Sequence, residues 1–246
     1  MKVILTIAGS DSSGGAGIQA DIKTAEYFGV FASSAITAIT AQNSCGVIGV
    51  LAVAPEFIKK QIKAVMSDFE ISTIKIGMLS NKTVINLVYE LIRDIKIPVV
   101  LDPVFISKAG SPLMSDEVIE EIKKLFNFTT IITPNLFEAK KLFGQNLQIN
   151  NSTNVLITKI KEDDKSIDRL FYKDGGSRDF SRNFIETNNL HGTGCTFSTA
   201  LAANIALGKS IEEAIEISKE YVYQAIKNAP NLGHGKGPIR HNLRVI

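Results

Sequence analysis

The stretch VILTIAGSDSSGGAGIQADIKTAEYF, residues 3–28, decides the fold. Val3 to Ala8 is short, rich in β-branched side chains and nearly all apolar. That is the pattern of a strand buried on both faces, as in a parallel sheet. A glycine-rich turn, Gly9 to Gly17, follows. From Ile18 to Phe28 the apolar residues recur at helical spacing, and Gly29 supplies a C-terminal stop. Strand, glycine turn and helix together make the first half of a βαβ unit.

The alternation continues outward. Further strands are expected at 31–41, 73–77, 98–102, 130–133 and 154–158, and helices at 55–67, 81–95 and 115–126. Pro55 suits the first turn of its helix. Residues 170–180 read as a hairpin turning at Asp174-Gly175. Two helices, 193–207 and 210–228, close the chain. The pattern predicts an α/β fold with a mostly parallel central sheet flanked by helices on both faces, in a single domain over 1–246. Ligands in such folds sit at the carboxyl ends of the strands. The polar or glycine-bearing clusters 9–17, 42–46, Gly77-Met78, Asp102-Pro103 and Pro134-Asn135 all follow strands and should converge on one edge.

Composition narrows the function. The chain has 246 residues, 45% of them hydrophobic, long enough for a large core. With 21% charged residues and a net charge of +2, the balance argues against nucleic acid or a membrane surface as partner. Lys161 to Lys165 is the densest charge cluster and reads as a solvated loop. Cys45 and Cys195 are far apart, which argues against a disulfide framework or a zinc cluster. No apolar run approaches the ~20 residues of a membrane span, and the N-terminus carries no basic leader or cleavage pattern. A cytoplasmic protein is expected.

The HGTGC run, residues 191–195, places Gly192 and Gly194 where a helix should start and Cys195 on its first turn. Free N–H groups and the positive end of the helix dipole make such a start an anion site suited to phosphate. A thiol there feels the same potential and is expected to have a lowered pKa. The plainer reading is an ordinary Gly-Thr-Gly helix entry with a buried cysteine. The 9–17 loop is neither a Walker A loop nor Gly-x-Gly-x-x-Gly. Asp21, one turn into its helix, can point over the strand ends or face solvent. Asp102, at the end of an apolar strand, suits Mg²⁺. Asn135 and Glu138 share a helix face; Glu138 can reach inward, or the two can form a cap pair. Acidic groups at strand ends beside an anion hole suit phosphoryl transfer, which needs placed phosphates, Mg²⁺ and a proton acceptor.

Together the segments TIAGSDSSGGAGIQADIKT (6–24), ITAITAQNSCGV (36–47), IKIGML (74–79), VLDPVFISKAG (100–110), ITPNLFEA (132–139), HGTGCTFSTALA (191–202) and GKGPIRH (235–241) resemble the hydroxymethylpyrimidine/phosphomethylpyrimidine kinases of thiamine biosynthesis, within the ribokinase-like superfamily. The resemblance implies transfer of the γ-phosphate of ATP to 4-amino-5-hydroxymethyl-2-methylpyrimidine and then to its monophosphate. It implies that Gln42 bonds the aminopyrimidine, with Gly9, Asp21 and Met78 completing the pocket. It places Gly192, Gly194 and the Cys195 amide around the transferring phosphoryl group, with the Cys195 thiol as an alternative, weak base. Asn135, Thr193 and Lys236 would serve ATP and its phosphates, and Asp102 and Glu138 Mg²⁺. A homodimer is implied as well. An amide side chain offers donor and acceptor together, matching an aminopyrimidine edge.

Two departures from the family pattern fall on the nucleotide side. The family's Lys-Gly-Gly-His run is replaced by Thr158-Lys-Ile160, which displaces Lys159 in register, and an Asn-rich loop at 146–154 stands in place of a helix. The competing readings are a pyridoxal kinase of the same fold, against which Gln42 discriminates, and a pyrimidine-binding protein without turnover.

Overall fold

The structure is a computed structural model that describes residues 1–104, 116–149 and 152–244. Strand β1 (Val3–Asp11) lies inside the sheet, parallel to β2 (Phe31–Asn43) on one side and β4 (Ile71–Ile76) on the other. The parallel series continues through β5 (Val99–Leu101), β6 (Ile131–Ile132) and β7 (Asn154–Glu162). Antiparallel strands extend both ends: β3 (Gly46–Ala52) beside β2, and β8 (Lys165–Phe171) then β9 (Ser177–Asn183) beyond β7. The order is β3-β2-β1-β4-β5-β6-β7-β8-β9.

Helices α2 (Pro55–Met66), α3 (Lys82–Ile92), α4 (Asp116–Lys123) and α5 (Leu136–Phe143) join one core cluster with Leu5, Ile7, Ile76, Leu101 and Ile132. Val100, Ile131 and Leu156 point the other way, against α6 (Thr193–Ala206) and α7 (Ile211–Lys227). Helix α1 (Gly17–Tyr27) shares that side, where Ala25 and Ile4 pack with Ala203. Neighbouring residues on one strand thus serve opposite faces, as the period of two demands. This explains why the inner strands read as unbroken apolar runs.

Three features depart from expectation. β3 was not foreseen; most of it is exposed, so it lacks the alternation that marks a half-buried strand. β7 runs on to Glu162 and pairs with β8, so Lys161, Glu162 and Lys165 are strand residues flanking a tight turn at Asp163-Asp164. Their exposure keeps them charged and hides the strand from hydrophobic patterning. β1 continues past Ala8 to Asp11, with a register shift against β2 between Ala8 and Ser10. Among the described residues between Phe143 and Asn154 there is no helix. The segment 107–112, whose Gly110 and position after a strand suit a lid, and residues 150–151 of the Asn-rich loop lie outside the described residues. No helix among the described residues is long and apolar enough to cross a membrane.

Candidate active site

Helix α6, like α1 and α2, opens without a side-chain cap, but on a glycine in the left-handed region. α3 begins on Asn81, whose side chain accepts from Val84 N, and α5 and α7 begin with full capping boxes. α6 begins on Gly192 at φ +82° with no side-chain cap. A Cβ on Gly192 would strike the Gly15 carbonyl oxygen, so only glycine allows the 9–17 loop to lie against the helix start. A Cβ on Gly194 would stand 3.7 Å from Asp102 Oδ2 and 3.9 Å from Lys159 Nζ. The first turn of α6 thus faces a carboxylate and an ammonium with no side chain between.

Most of the expected site residues line one cavity around that turn: Gly9, Gln42, Met78, Asp102, Asn135, Glu138, Gly192, Gly194 and Cys195. β1, β2, β4 and β5 end here, and the loops that follow them supply the walls. Glu138 plays both of its alternative parts: its Oε2 accepts from Asn135 N, closing the capping box, and the residue borders the cavity. Gln42 is half-buried, and its amide already touches Thr40 Oγ1 at 3.3 Å and His191 Nε2 at 3.3 Å. A second cavity lies on the other side of the helix start, between β7–β9 and α6–α7. Thr193 lines it with Lys161, Arg182, Lys219, Phe184 and Tyr223. The two cavities share Thr133, Thr158, Lys159 and Gly194.

Asp21 and Lys236 line neither cavity. Asp21 was expected in the pyrimidine pocket. Instead it is fully buried beneath it, accepting from Thr6 Oγ1, Thr199 Oγ1 and both-handedly from Lys75 Nζ at 2.9 Å. Lys75 is a buried strand residue whose charge has to be matched, and Asp21 matches it. Lys236, expected at the nucleotide, is exposed on the C-terminal segment, where its N–H donates to Ser44 O beside the β2–β3 turn.

The charges explain the protonation states. Burial acts against the Lys75 ammonium, but Asp21, aided by Cys195 and Asp102, holds its pKa above the usual lysine value. Burial raises Asp102, opposed by Lys75, by the hydrogen bond from Ser198 Oγ and by Lys159. Burial also pushes the Cys195 thiol up to about 11, with Lys75 opposing and Asp102 and Asp21 adding to the rise. The expected lowering by the helix start is therefore overturned: desolvation and two nearby carboxylates outweigh the dipole.

Sequence reading left three residues out of the site. Lys159 sits on a β7 bulge at φ +62°, its N–H donating to Asp168 Oδ1 at 2.8 Å and its Nζ to Thr193 Oγ1 at 2.9 Å. Asp168 in turn pairs with Lys219 at 2.8 Å. Lys159 is the cation between the two cavities; its signal was the displaced lysine in Thr158-Lys-Ile160. Asp11 and His191 line the first cavity and pair at 2.7 Å. Their signal was adjacency to Gly9 and Gly192.

Among the described residues no three His, Cys, Asp or Glu side chains cluster as a complete metal cage. Asp102 and Glu138 border the same cavity, and that donor set fits Mg²⁺, which keeps waters and substrate phosphates among its ligands.

A family model described as Phosphomethylpyrimidine kinase matches residues 11–240. The chain belongs to the phosphomethylpyrimidine kinase family. It is 38% identical to the hydroxymethylpyrimidine/phosphomethylpyrimidine kinase of Haemophilus influenzae, over 98% of this chain and 97% of that one. The crystal structure of phosphomethylpyrimidine kinase from Clostridium difficile is 37% identical, with a TM-score of 0.77 over 92% of this chain and 100% of that chain. An ADP complex of Bacillus subtilis pyridoxal kinase superposes with a TM-score of 0.88 at 33% identity, covering 100% of both chains. The fold is that of the ribokinase-like phosphomethylpyrimidine kinases, with the mostly parallel sheet and two helical layers that the sequence leads one to expect.

Proposed function

We propose that this phosphomethylpyrimidine kinase family member transfers the γ-phosphate of ATP to the hydroxymethyl group of 4-amino-5-hydroxymethyl-2-methylpyrimidine, and then phosphorylates the monophosphate to the diphosphate. One observation carries the reading: Gln42, Met78 and the uncapped start of α6 share a cavity that meets a second, basic cavity at Lys159 and Gly194. The pyrimidine occupies the first cavity, its amino edge on Gln42 and its ring against Met78 and Gly9. ATP occupies the second, between Lys161, Arg182, Lys219 and Tyr223. The phosphoryl group crosses where the two meet. The N–H groups of Gly194 and Cys195 and the Lys159 ammonium receive the charge that builds on its oxygens.

Mg²⁺, bound by Asp102 and Glu138, would supply charge neutralisation on the phosphates. Asn135 holds Glu138 through the capping box. Gly192 lets the 9–17 loop close over the helix start. The whole chain, 1–246, works as one kinase domain in the cytoplasm. Exposed Ile48, Val50, Leu51 and Phe57 beside the β3 edge support a homodimer.

A pyridoxal kinase is the second reading, favoured by the near-complete superposition on the Bacillus subtilis enzyme. Incubating the purified protein with ATP, Mg²⁺ and each alcohol, with mass spectrometry of the products, separates them. The proposal predicts pyrimidine monophosphate and diphosphate. Product from pyridoxal alone supports the second reading, and tight pyrimidine binding without product supports a binding protein.

A further inference from the structure

His191 takes no part in the phosphoryl transfer outlined above, yet it lies in the pyrimidine cavity with an unusual set of neighbours. Its Nε2 stands 2.7 Å from Asp11 Oδ2, 3.3 Å from Gln42 Nε2 and 3.5 Å from Ser13 Oγ. Asp11 also accepts from the N–H groups of Ser13, Gly15 and Ala16 and from Ser13 Oγ. A carboxylate gathering that many donors is ionised, and an ionised carboxylate can only accept. Burial opposes this, but the hydrogen bonds from His191 and Ser13 prevail and hold Asp11 at about 2. The proton between Asp11 and His191 therefore belongs to His191 Nε2.

An Nε2–H cannot accept from an amide N–H. The one Nε2 proton makes its main bond to Asp11 at 2.7 Å, so Gln42 at 3.3 Å takes only the minor branch of a three-centre bond, and only by presenting its Oε1. The other end of the amide then faces Thr40 Oγ1. That hydroxyl spends its own proton on Ser10 O at 2.9 Å, so it has a lone pair for the amide N–H. In this orientation the amide N–H finds the Thr40 lone pair and Oε1 faces the shared Nε2–H; in the reverse one an N–H faces an N–H and an oxygen faces a lone pair.

We propose that His191, held by Asp11, is a specificity-determining positioning residue: together with Thr40 it fixes which end of the Gln42 amide accepts and which donates, and so the polarity offered to the ring in the cavity. One lone pair on Oε1 and one N–H remain for the ligand. They match a ring bearing an exocyclic amino group beside a ring nitrogen, and an alcohol without that amino group gains nothing from the fixed order. The inference rests on the pyrimidine reading for its substrate and on the hydrogen-bond network for its geometry.

The test has two arms. In ¹⁵N-histidine-labelled protein, His191 should show a protonated Nε2 at neutral pH; an Nδ1–H tautomer overturns the inference, whatever the substrate. In kinetics, His191→Leu should raise the KM for the aminopyrimidine roughly tenfold, the scale of a misdirected hydrogen bond, with a much smaller effect on kcat and none on the KM for pyridoxal. His191→Gln, which keeps an N–H near the Nε2 position, should recover most of that loss. An unchanged pyrimidine KM, equal losses for both alcohols, or a glutamine variant no better than leucine would overturn it. Wild-type protein that makes no pyrimidine product sinks the functional reading, and the tautomer measurement still decides the role of His191.

Discussion

Gly192 and Cys195 show how single positions set the chemistry at the start of α6. Gly192 combines φ +82° with a blocked Cβ direction. Gly192→Ala should cost at least ~2 kcal/mol of stability, from left-handed strain and displacement of the 9–17 loop. Thermal denaturation and kcat/KM should fall together; an alanine variant as stable and active as wild type would contradict the packing described. Cys195, with its thiol held up near 11, is neutral at pH 7. In a Cys45→Ser background, its alkylation by iodoacetamide should be slow at pH 7 and accelerate about tenfold per pH unit toward 11, because only the thiolate reacts. A rate that levels off near pH 8 would show an ordinary or lowered thiol. The glycines of HGTGC were legible as a tight helix entry. The thiol's state was not, since it depends on burial and on Asp21 and Asp102, which come from distant parts of the chain.

At the level of elements, β7 carries the Thr158-Lys-Ile160 run that stands in place of the Lys-Gly-Gly-His expected from the family resemblance. A lysine holds the left-handed conformation that glycine would adopt without cost, and Asp168 fixes it by accepting from the Lys159 N–H. The strain, about 1 kcal/mol, is retained where the side chain reaches Thr193 at the junction of the two cavities. Lys159→Gly should therefore leave the melting temperature unchanged or slightly raised while lowering kcat at least tenfold. A glycine variant with full kcat would remove Lys159 from the phosphoryl path. β1, α1, α6 and α7 were readable because a buried parallel strand and long helical runs of apolar residues leave strong local patterns. β3 and the β7–β8 turn were not, because strands exposed at the ends of a sheet carry charge or unpatterned apolar residues. The bulge itself follows from pairing with β8, a contact that local sequence does not encode.

For the molecule as a whole, the parallel strands deliver their loops to one edge, and the start of α6 stands where the Gln42 cavity and the basic cavity meet. This convergence was foreseeable from the order of the clusters. The burial of Asp21 under the site and the placement of Lys236 away from it were not. Strand β3, at the sheet end next to Gln42, exposes Ile48 at 81% and Leu51 at 68%. The proposed homodimer predicts that wild type sediments as a dimer and Leu51→Glu as a monomer in sedimentation velocity; a wild-type monomer at micromolar concentration would refute that interface.

The central claim is that Gln42 and the start of α6 grip one aminopyrimidine alcohol between them. Initial-rate kinetics of Gln42→Leu beside wild type test it most directly. The account predicts phosphorylated pyrimidine from wild type, and in the variant a KM for the pyrimidine raised at least tenfold with the KM for ATP within about twofold, as expected when one buried polar partner is lost. An unchanged pyrimidine KM, or a loss that falls equally on ATP, would contradict it.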